Sequence, residues 1–182
     1  KLGSSQTAKP DARSATLGAG SLTWYFMTPA VPNFDLNKFD FDCDTPKTYQ
    51  TGAINDAVST DLSSFRARGG KLIVLTGVSN PVFSAKNQVA WFKQMNADTP
   101  NAQSFSRLFM VPGMNRCGGG QTFNDFDPLT LLENWHGKNE ARERMIAQGK
   151  SFPNKQMPIF AYPKVATYKG CDKGKAESFE CR

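Results

Sequence analysis

The sequence predicts an α/β fold in which two short parallel strands alternate with helices. Two predominantly apolar runs, Lys71–Thr76 and Arg107–Val111, are typical of short strands that are buried on both faces. Between them, Ala85–Asn96 carries apolar side chains at helical spacing. A strand, a helix and a second strand with short connections form a parallel βαβ unit, whose crossover we expect to be right-handed.

Composition narrows the class of protein. The 182 residues are enough for one domain of ordinary size, and 39% of them are apolar, which suffices for a core. The net charge of +6 is too small and too evenly spread to indicate a nucleic-acid partner. Every apolar run is far shorter than the roughly 20 residues of a membrane span. We therefore expect neither nucleic acid nor membrane as a partner.

The N-terminal part of the chain has weak patterns. Residues 1–20 lack periodicity and are expected to form a loop or connector, with a single domain over residues 21–182. Because the chain starts at Lys1, we expect a processed or partial product. The aromatic residues 21–27 favour an extended segment before two prolines.

Residues 34–44 alternate Phe with Asp in a way that is similar to a calcium loop. The segment lacks the glycine and the closing Glu of an EF-hand, so no metal site is expected. We expect an irregular segment whose Phe34, Phe39 and Phe41 anchor it to a core.

Capping residues indicate the remaining helices. Asp61 is suited to cap a short helix over Leu62–Arg68 that ends at two glycines. Asp127 followed by Pro128 predicts a helix that continues through Trp135. The charged stretch Asn139–Gln148 is expected to be helical as well.

In parallel sheets the chemistry lies in loops beyond the carboxyl ends of the strands, which here are residues 77–84 and 112–122. Gly118–Gly120 lacks the Lys and Ser/Thr of a phosphate-binding loop and indicates a close-approach turn.

The four cysteines do not have zinc-site spacing. Cys171 and Cys181 close a short loop that favours a disulfide in an exported protein, although two unpaired thiols are the alternative. Cys43 and Cys117 could pair with each other, pair with partners elsewhere, or stay free.

Four long stretches carry a resemblance to a known family: Asp61–Ser84, Phe105–Gly120, the helix start at Phe126–Asp127, and Tyr162–Gly170. With the segment Phe39–Asp44, they resemble the tannase and feruloyl esterase family of secreted α/β-hydrolases. The resemblance extends over most of the chain, from about residue 21 onward.

The resemblance implies a particular part of a larger enzyme. Family members are longer, and their first strands, their nucleophile and an inserted calcium-binding lid lie upstream. The implied fold is the C-terminal part of an α/β-hydrolase parallel sheet with flanking helices, without the lid domain. We therefore expect no cofactor in this chain and a secreted or periplasmic location. An upstream chain or a second copy is expected to complete the sheet.

The family pattern also points to altered catalytic positions. In the fold the triad runs Ser, acid, His, with the acid in a G-x-S-D-P pattern and the His in P-G-M-x-H-C-x-G-G. Here these positions hold Asn80 and Arg116, and no Ser stands in a nucleophile context. Arg does not release its proton near neutral pH, and Asn has no charge to hold an imidazolium. In another triad the acid-to-Asn change alone costs ~10⁴ in turnover.

Other residues offer poor replacements. His136 lies near a helix C-terminus, where a cation is favourable, and the resemblance places that helix behind the sheet. Ser79 and Ser84 flank the acid position, but no residue nearby in sequence activates them. The resemblance further implies that Cys117 bonds to an upstream Cys, and that Cys171 replaces the family's partner of Cys181.

These observations give two functional hypotheses. The first is the C-terminal segment of a carboxylic ester hydrolase for aromatic or polyphenolic esters, inactive alone. The alternative is a non-catalytic pseudo-hydrolase that binds an aromatic ligand or a partner chain.

Overall fold

A computed structural model describes residues 18–182, which belong to two compact units divided between Val58 and Ser59. Most of the connector expected over residues 1–20 lies outside the described residues. Each unit is described by itself below.

The first unit contains only short helical elements between residues 18 and 58. These are a π-helical turn at Leu22–Phe26, 3-10 turns at Leu36–Lys38 and Thr45–Thr48, and helix α1 at Tyr49–Asn55. The extended segment expected over residues 21–27 is wrong. The N–H of Met27 closes the turn on the carbonyl of Leu22 at 3.2 Å. Aromatic residues favour strands only where a neighbouring strand packs beside them, and none does so here among the described residues.

The three phenylalanines of residues 34–41 do not anchor this unit to a core. Their rings contact one another edge to face, with centroids 6.0 Å and 5.1 Å apart, and Phe41 is 80% exposed. The cause is a tight turn in which the Asp40 carboxylate accepts the N–H groups of Asp42 and Cys43. This turn leaves Phe41 on the surface.

The second unit contains the expected parallel pair. Strand β1, Leu72–Gly77, lies parallel to strand β2, Ser106–Val111, with Leu72 opposite Ser106 and Gly77 opposite Val111. Helix α2, Ser63–Ala67, precedes β1, and helix α3, Ala85–Asp98, connects the two strands. The α/β class is therefore confirmed.

Alternate side chains of β2 build a core on each side of the sheet. Leu108 packs in a cluster with Phe92 and Met95 of α3. Phe109 packs on the opposite face in a cluster with Leu131 of helix α4, Pro128–Lys138. Full burial of each such side chain stabilises the fold by about 1.5–3 kcal/mol. The sheet is thus covered by a helix on both faces.

Helix α4 begins as predicted and ends at Lys138, three residues beyond the predicted end at Trp135. The Asp127 carboxylate accepts the N–H of Thr130 at 2.9 Å, and Asn139 ends the helix with a left-handed φ of 57°. The helix expected over Asn139–Gln148 is wrong, because Arg144–Ala147 forms strand β3. Its Met145 and Ala147 are buried while their neighbours are exposed, a period of two that fits a strand.

Antiparallel pairs complete this unit. Strand β3 pairs with β4, Met157–Phe160, and β5, Ala166–Tyr168, pairs with β6, Phe179–Cys181. The chain after β4 runs along the outer edge of β2, where the N–H of Tyr162 donates to Leu108 at 2.7 Å. Within the described residues β1 has a strand partner on one edge only, so its other edge leaves backbone groups unpaired.

Candidate functional site

The carboxyl ends of β1 and β2 hold two loops that are tied together by their backbones. The N–H of Val78 donates to the carbonyl of Val111 at 3.0 Å, and the N–H of Ser79 donates to Met114 at 2.9 Å. At Gly77 a Cβ would lie 1.6 Å from the carbonyl oxygen of Asn115. Only glycine permits this approach, so the end of β1 is fixed against the second loop.

Asn80 uses its side-chain oxygen inside its own loop. This Oδ1 accepts the N–H groups of Val82 and Phe83, at 3.0 Å and 3.1 Å. Such a turn is a common use of Asn, and it fixes the position of Phe83. An uncharged amide in this role supplies no carboxylate to stabilise a protonated base.

The loop after β2 is held by glycines with positive φ. Gly113, at φ 72°, and Gly120, at φ 87°, approach each other so closely that a Cβ on Gly120 would lie 2.2 Å from the Gly113 carbonyl. The Thr122 hydroxyl donates to the carbonyl of Pro112 at 2.6 Å and closes the loop base. The close-approach turn expected over Gly118–Gly120 agrees with this geometry.

Arg116 lies over the ring of Phe83, with its guanidinium carbon 4.7 Å from the ring centroid. Arg116 therefore stacks on Phe83, the residue whose backbone N–H is bound by Asn80. The structure thus links the two positions identified from sequence, Asn80 and Arg116, through Phe83. The sequence analysis did not consider Phe83, whose place three residues after Asn80 was the available signal.

No described residue near these loops forms a nucleophile–base pair. Ser79 and Ser84 are exposed, and neither hydroxyl makes a hydrogen bond to a described residue. His136 is exposed in the last turn of α4, outside both loops. Buried Thr76, at the end of β1, has a hydroxyl without a hydrogen-bond partner in the described structure. The polar side chains at the two loops thus include the cation Arg116, the amide Asn80, and hydroxyl groups.

In the second unit, three carboxylates with lowered pKa values have structural roles outside the two loops. Hydrogen bonds from the Thr60 hydroxyl and from Gln94 lower the pKa of Asp98. Hydrogen bonds from Ser63 lower the pKa of Asp61, and those from Thr130 lower the pKa of Asp127. Each carboxylate caps or ties a helix end, so none is a candidate acid for catalysis.

All four cysteines are exposed free thiols in the structure. The expected bond between Cys171 and Cys181 is not formed in it. Cys181 lies at the end of β6 opposite Ala166, and the Tyr168 hydroxyl donates to the backbone carbonyl of Cys171 at 2.8 Å. The pairing itself stays a prediction.

A cavity of about 570 Å³ lies beside the two loops. Val78, Gly113 and Thr122 form part of its wall, and further parts come from the end of β2, from β4 and from the segment after β4. Its aromatic lining consists of Phe123, Phe152, Phe160, Tyr162 and Phe179. The sequence analysis missed this cavity because its walls come from segments that are distant in sequence.

Residues 18–182 contain neither a cluster of metal-binding side chains nor a helix suited to span a membrane. No group of three or more His, Cys, Asp or Glu side chains there is arranged to hold a metal ion. In the same range no helix is long and apolar enough to cross a membrane.

The fold is similar to that of known esterases of the α/β-hydrolase type. It superposes on an esterase from Aspergillus oryzae with a TM-score of 0.75 at 22% identity, covering 90% of this chain and 37% of that chain. A feruloyl esterase B from Aspergillus oryzae gives a TM-score of 0.68 at 18% identity, with 89% and 36% covered.

Sequence comparison defines the family. Residues 3–182 match the family described as tannase and feruloyl esterase, and the chain belongs to that family. It is 34% identical to mono(2-hydroxyethyl) terephthalate hydrolase of Piscinibacter sakaiensis over 99% of this chain and 33% of that protein. It is 32% identical to a probable feruloyl esterase of Arthroderma benhamiae over 82% of this chain and 30% of that protein. The chain spans about a third of the length of these relatives. The resemblance seen in the sequence is confirmed, and the family supports an ester hydrolase function.

Proposed function

We propose that the chain is the C-terminal part of a carboxylic ester hydrolase for aromatic or polyphenolic esters, and that it does not hydrolyse esters alone. One observation carries this proposal. Asn80 and Arg116 occupy the loops after two adjacent parallel strands and meet through Phe83. The family resemblance places the catalytic acid and base at these two positions.

Ester hydrolysis of this type needs a nucleophile, a base to remove its proton and an acid to hold the protonated base. A guanidinium has no lone pair with which to accept the proton of a nucleophile, and the Asn80 oxygen is engaged by its own turn. The chain therefore contributes strands, loops and pocket walls to the enzyme. The nucleophile and the calcium-binding lid would come from the upstream part that the resemblance implies.

The open edge of β1 supports a partner that completes the sheet. The apolar strand Leu72–Gly77 is paired only with β2 among the described residues, and Leu72–Leu75 are only half-buried. Parallel strands normally lie inside a sheet with both faces covered. We propose that a strand from an upstream chain, or from a second copy, pairs with this edge.

A secreted or periplasmic location is part of the same proposal, with Cys171 bonded to Cys181 and Cys117 bonded to an upstream Cys. The test is thiol labelling of oxidised chain, followed by reduction and intact mass. We expect Cys171 and Cys181 to label only after reduction, with Cys43 and Cys117 of the isolated chain labelling before it. Labelling of all four cysteines before reduction would contradict the proposed disulfide between Cys171 and Cys181.

The activity test combines fluorophosphonate labelling with hydrolysis of an aromatic ester. We expect the 182-residue chain to carry no label and to show no turnover above buffer. The proposal would be overturned if one label attached covalently to each molecule of this chain, and if no label attached when the chain was denatured before the reaction. The variant Asn80→Asp/Arg116→His is the matched control, and it should stay inactive alone because the nucleophile would still be supplied from outside.

The same double substitution gives a second test when it is made in a longer natural assembly that also contains the nucleophile. Restored base and acid should raise its turnover by ~10²–10⁴ if the general-base step is what Asn80 and Arg116 remove. Unchanged turnover in a labelled assembly would show that another residue serves as the base.

The aromatic cavity favours a second candidate function, which is binding of an aromatic ligand without turnover. Its volume of about 570 Å³ falls in the range of small-molecule sites, and its walls are mainly apolar. Titration with methyl benzoate tests this function. Saturable binding that Phe152→Ala weakens would support it, and its absence would exclude this probe class from the cavity.

A further inference from the structure

Arg116 is an exposed cation whose guanidinium is held in place and whose donors are unused. Its guanidinium carbon lies 4.7 Å from the centroid of the Phe83 ring, a distance at which the ring attracts and orients the cation. The side chain makes no hydrogen bond or ion pair with any described residue. The stack covers the guanidinium with a ring and leaves its N–H donors free.

The platform under Arg116 is itself fixed. Asn80 accepts the backbone N–H groups of Val82 and Phe83, so the ring is carried by a closed turn. Because both partners are positioned before a ligand arrives, binding there loses less conformational entropy than binding to a mobile Arg.

The surroundings of Arg116 favour an anion. The backbone N–H groups of Arg116, Cys117 and Gly118 donate no hydrogen bond within residues 18–182. No carboxylate in that range lies within ion-pair distance of Arg116. The planar guanidinium fork matches the two oxygens of a carboxylate, which it binds through parallel hydrogen bonds.

The loop that carries Phe83 exposes apolar side chains as well as the hydroxyls of Ser79 and Ser84. Val78, Val82 and Phe83 are 45%, 38% and 55% exposed within this short loop. A ligand whose carboxylate pairs with Arg116 can therefore cover apolar surface with the rest of its body. Together these features select an anion attached to a flat apolar group.

We propose that Arg116 and the exposed apolar side chains of residues 78–83 form a binding site for an aromatic carboxylate. Such a site distinguishes a carboxylate from its ester, which carries no negative charge and has one of its two oxygens alkylated. The inference rests on the proposed function only in that Arg116 stands at the base position, since binding requires no turnover.

The test is equilibrium titration of the full chain with benzoate, monitored by NMR or calorimetry. We expect saturable binding that Arg116→Gln weakens by about tenfold or more, because a charged hydrogen-bonded pair is lost. Arg116→Lys should restore part of the affinity. Arg68→Gln is the matched control, because Arg68 is also exposed and unpaired within the described residues. The affinity of this variant for benzoate should stay within about twofold of the wild-type value.

Two further probes decide what is recognised. Methyl benzoate should bind about tenfold more weakly than benzoate, and acetate should bind more weakly than benzoate because it covers no apolar surface. Equal binding of benzoate to wild-type chain and Arg116→Gln would overturn the proposal. Equal binding of methyl benzoate and benzoate would also overturn it, because the charge of the carboxylate would then contribute nothing to recognition. These outcomes are read without any ester hydrolysis, so they are distinct from failure of the proposed function. Melting curves of each variant establish that it is folded.

Discussion

Residues 18–58 and residues 59–182 bury their aromatic side chains to very different extents. In the first range Trp24, Phe41 and Tyr49 are 65%, 80% and 64% exposed. In the second range Trp135, Phe105 and Phe109 are almost completely buried. Both ranges are rich in aromatic residues, so composition alone does not determine which of them forms a core.

The difference lies in what surrounds the aromatic rings. The second range has a parallel strand pair with a helix on each face, which provides two apolar surfaces for side chains to pack against. The first range consists of short helical segments without a strand partner; many of its hydrogen bonds are local, such as those to the Asp40 carboxylate, and a few join distant residues, such as Thr28 N–H to the Lys47 carbonyl. Its exposed aromatic side chains form the kind of surface that other protein segments cover.

The largest expected effect comes from removing a buried ring. Trp135→Ala should lower the free energy of unfolding by about 3–5 kcal/mol, because the ring is buried and both Lys71 and Arg107 stack on it. Trp24→Ala should change it by less than about 0.5 kcal/mol, since most of that ring is already in water. Urea unfolding monitored by circular dichroism checks both. Similar losses in the two variants would contradict the contrast between the two ranges.

The next effect concerns backbone packing at the site. Gly77→Ala should cost more than about 2 kcal/mol, because its methyl group would overlap the Asn115 carbonyl and separate the two loops. Gly137→Ala is the matched change in α4, where a Cβ meets nothing within 4 Å. It should stabilise by about 0.4–1 kcal/mol through helix propensity. A neutral Gly77→Ala variant would show that the loops adjust independently of each other.

Within residues 59–182, sequence prediction succeeded where the pattern is local and failed where it depends on a partner distant in sequence. The apolar runs at Leu72 and Leu108 were predicted within one residue, since a continuous apolar strand has few alternatives once it is flanked by Gly and polar residues. The segment Arg144–Ala147 was predicted as helix because its charges suggested one. Its strand period became visible only with its partner β4, since cross-strand pairing depends on residues distant in sequence.

For the candidate site, the sequence located the loops and the two altered positions but not their contact. Asn80 and Arg116 were found by their place in family-like motifs, whereas Phe83 was passed over as one apolar residue in a loop. Its role depends on two events at once, the turn closed by Asn80 and the approach of Arg116 from the second loop. The aromatic cavity was missed for the same reason, because it combines residues from 78 to 179.

The smallest expected effect is a pH-dependent helix cap at Asp127. Hydrogen bonds from Thr130 to its carboxylate hold the pKa of Asp127 below the ordinary value of 3.8. A lowered folded-state pKa means that the carboxylate stabilises the fold above the unfolded-state pKa. This contribution is lost as the pH falls through the folded-state pKa. Asp127→Ala should therefore lower the melting temperature by roughly 2–5 °C at neutral pH.

The pH series separates this cap from a general loss of charge. The difference in melting temperature between wild-type chain and Asp127→Ala should stay nearly constant from pH 7 down to the ordinary carboxyl pKa of 3.8, and should shrink only as the pH falls below it. Asp127→Asn should retain much of the stability without that pH dependence, because an amide oxygen still accepts the Thr130 N–H. Asp125→Ala removes a carboxylate next to the helix that caps nothing, so it should leave the melting temperature nearly unchanged. If Asp125→Ala and Asp127→Ala shifted the curve equally, the effect would be one of net charge, and α4 would be stabilised by the buried face of Leu131 and Trp135 alone.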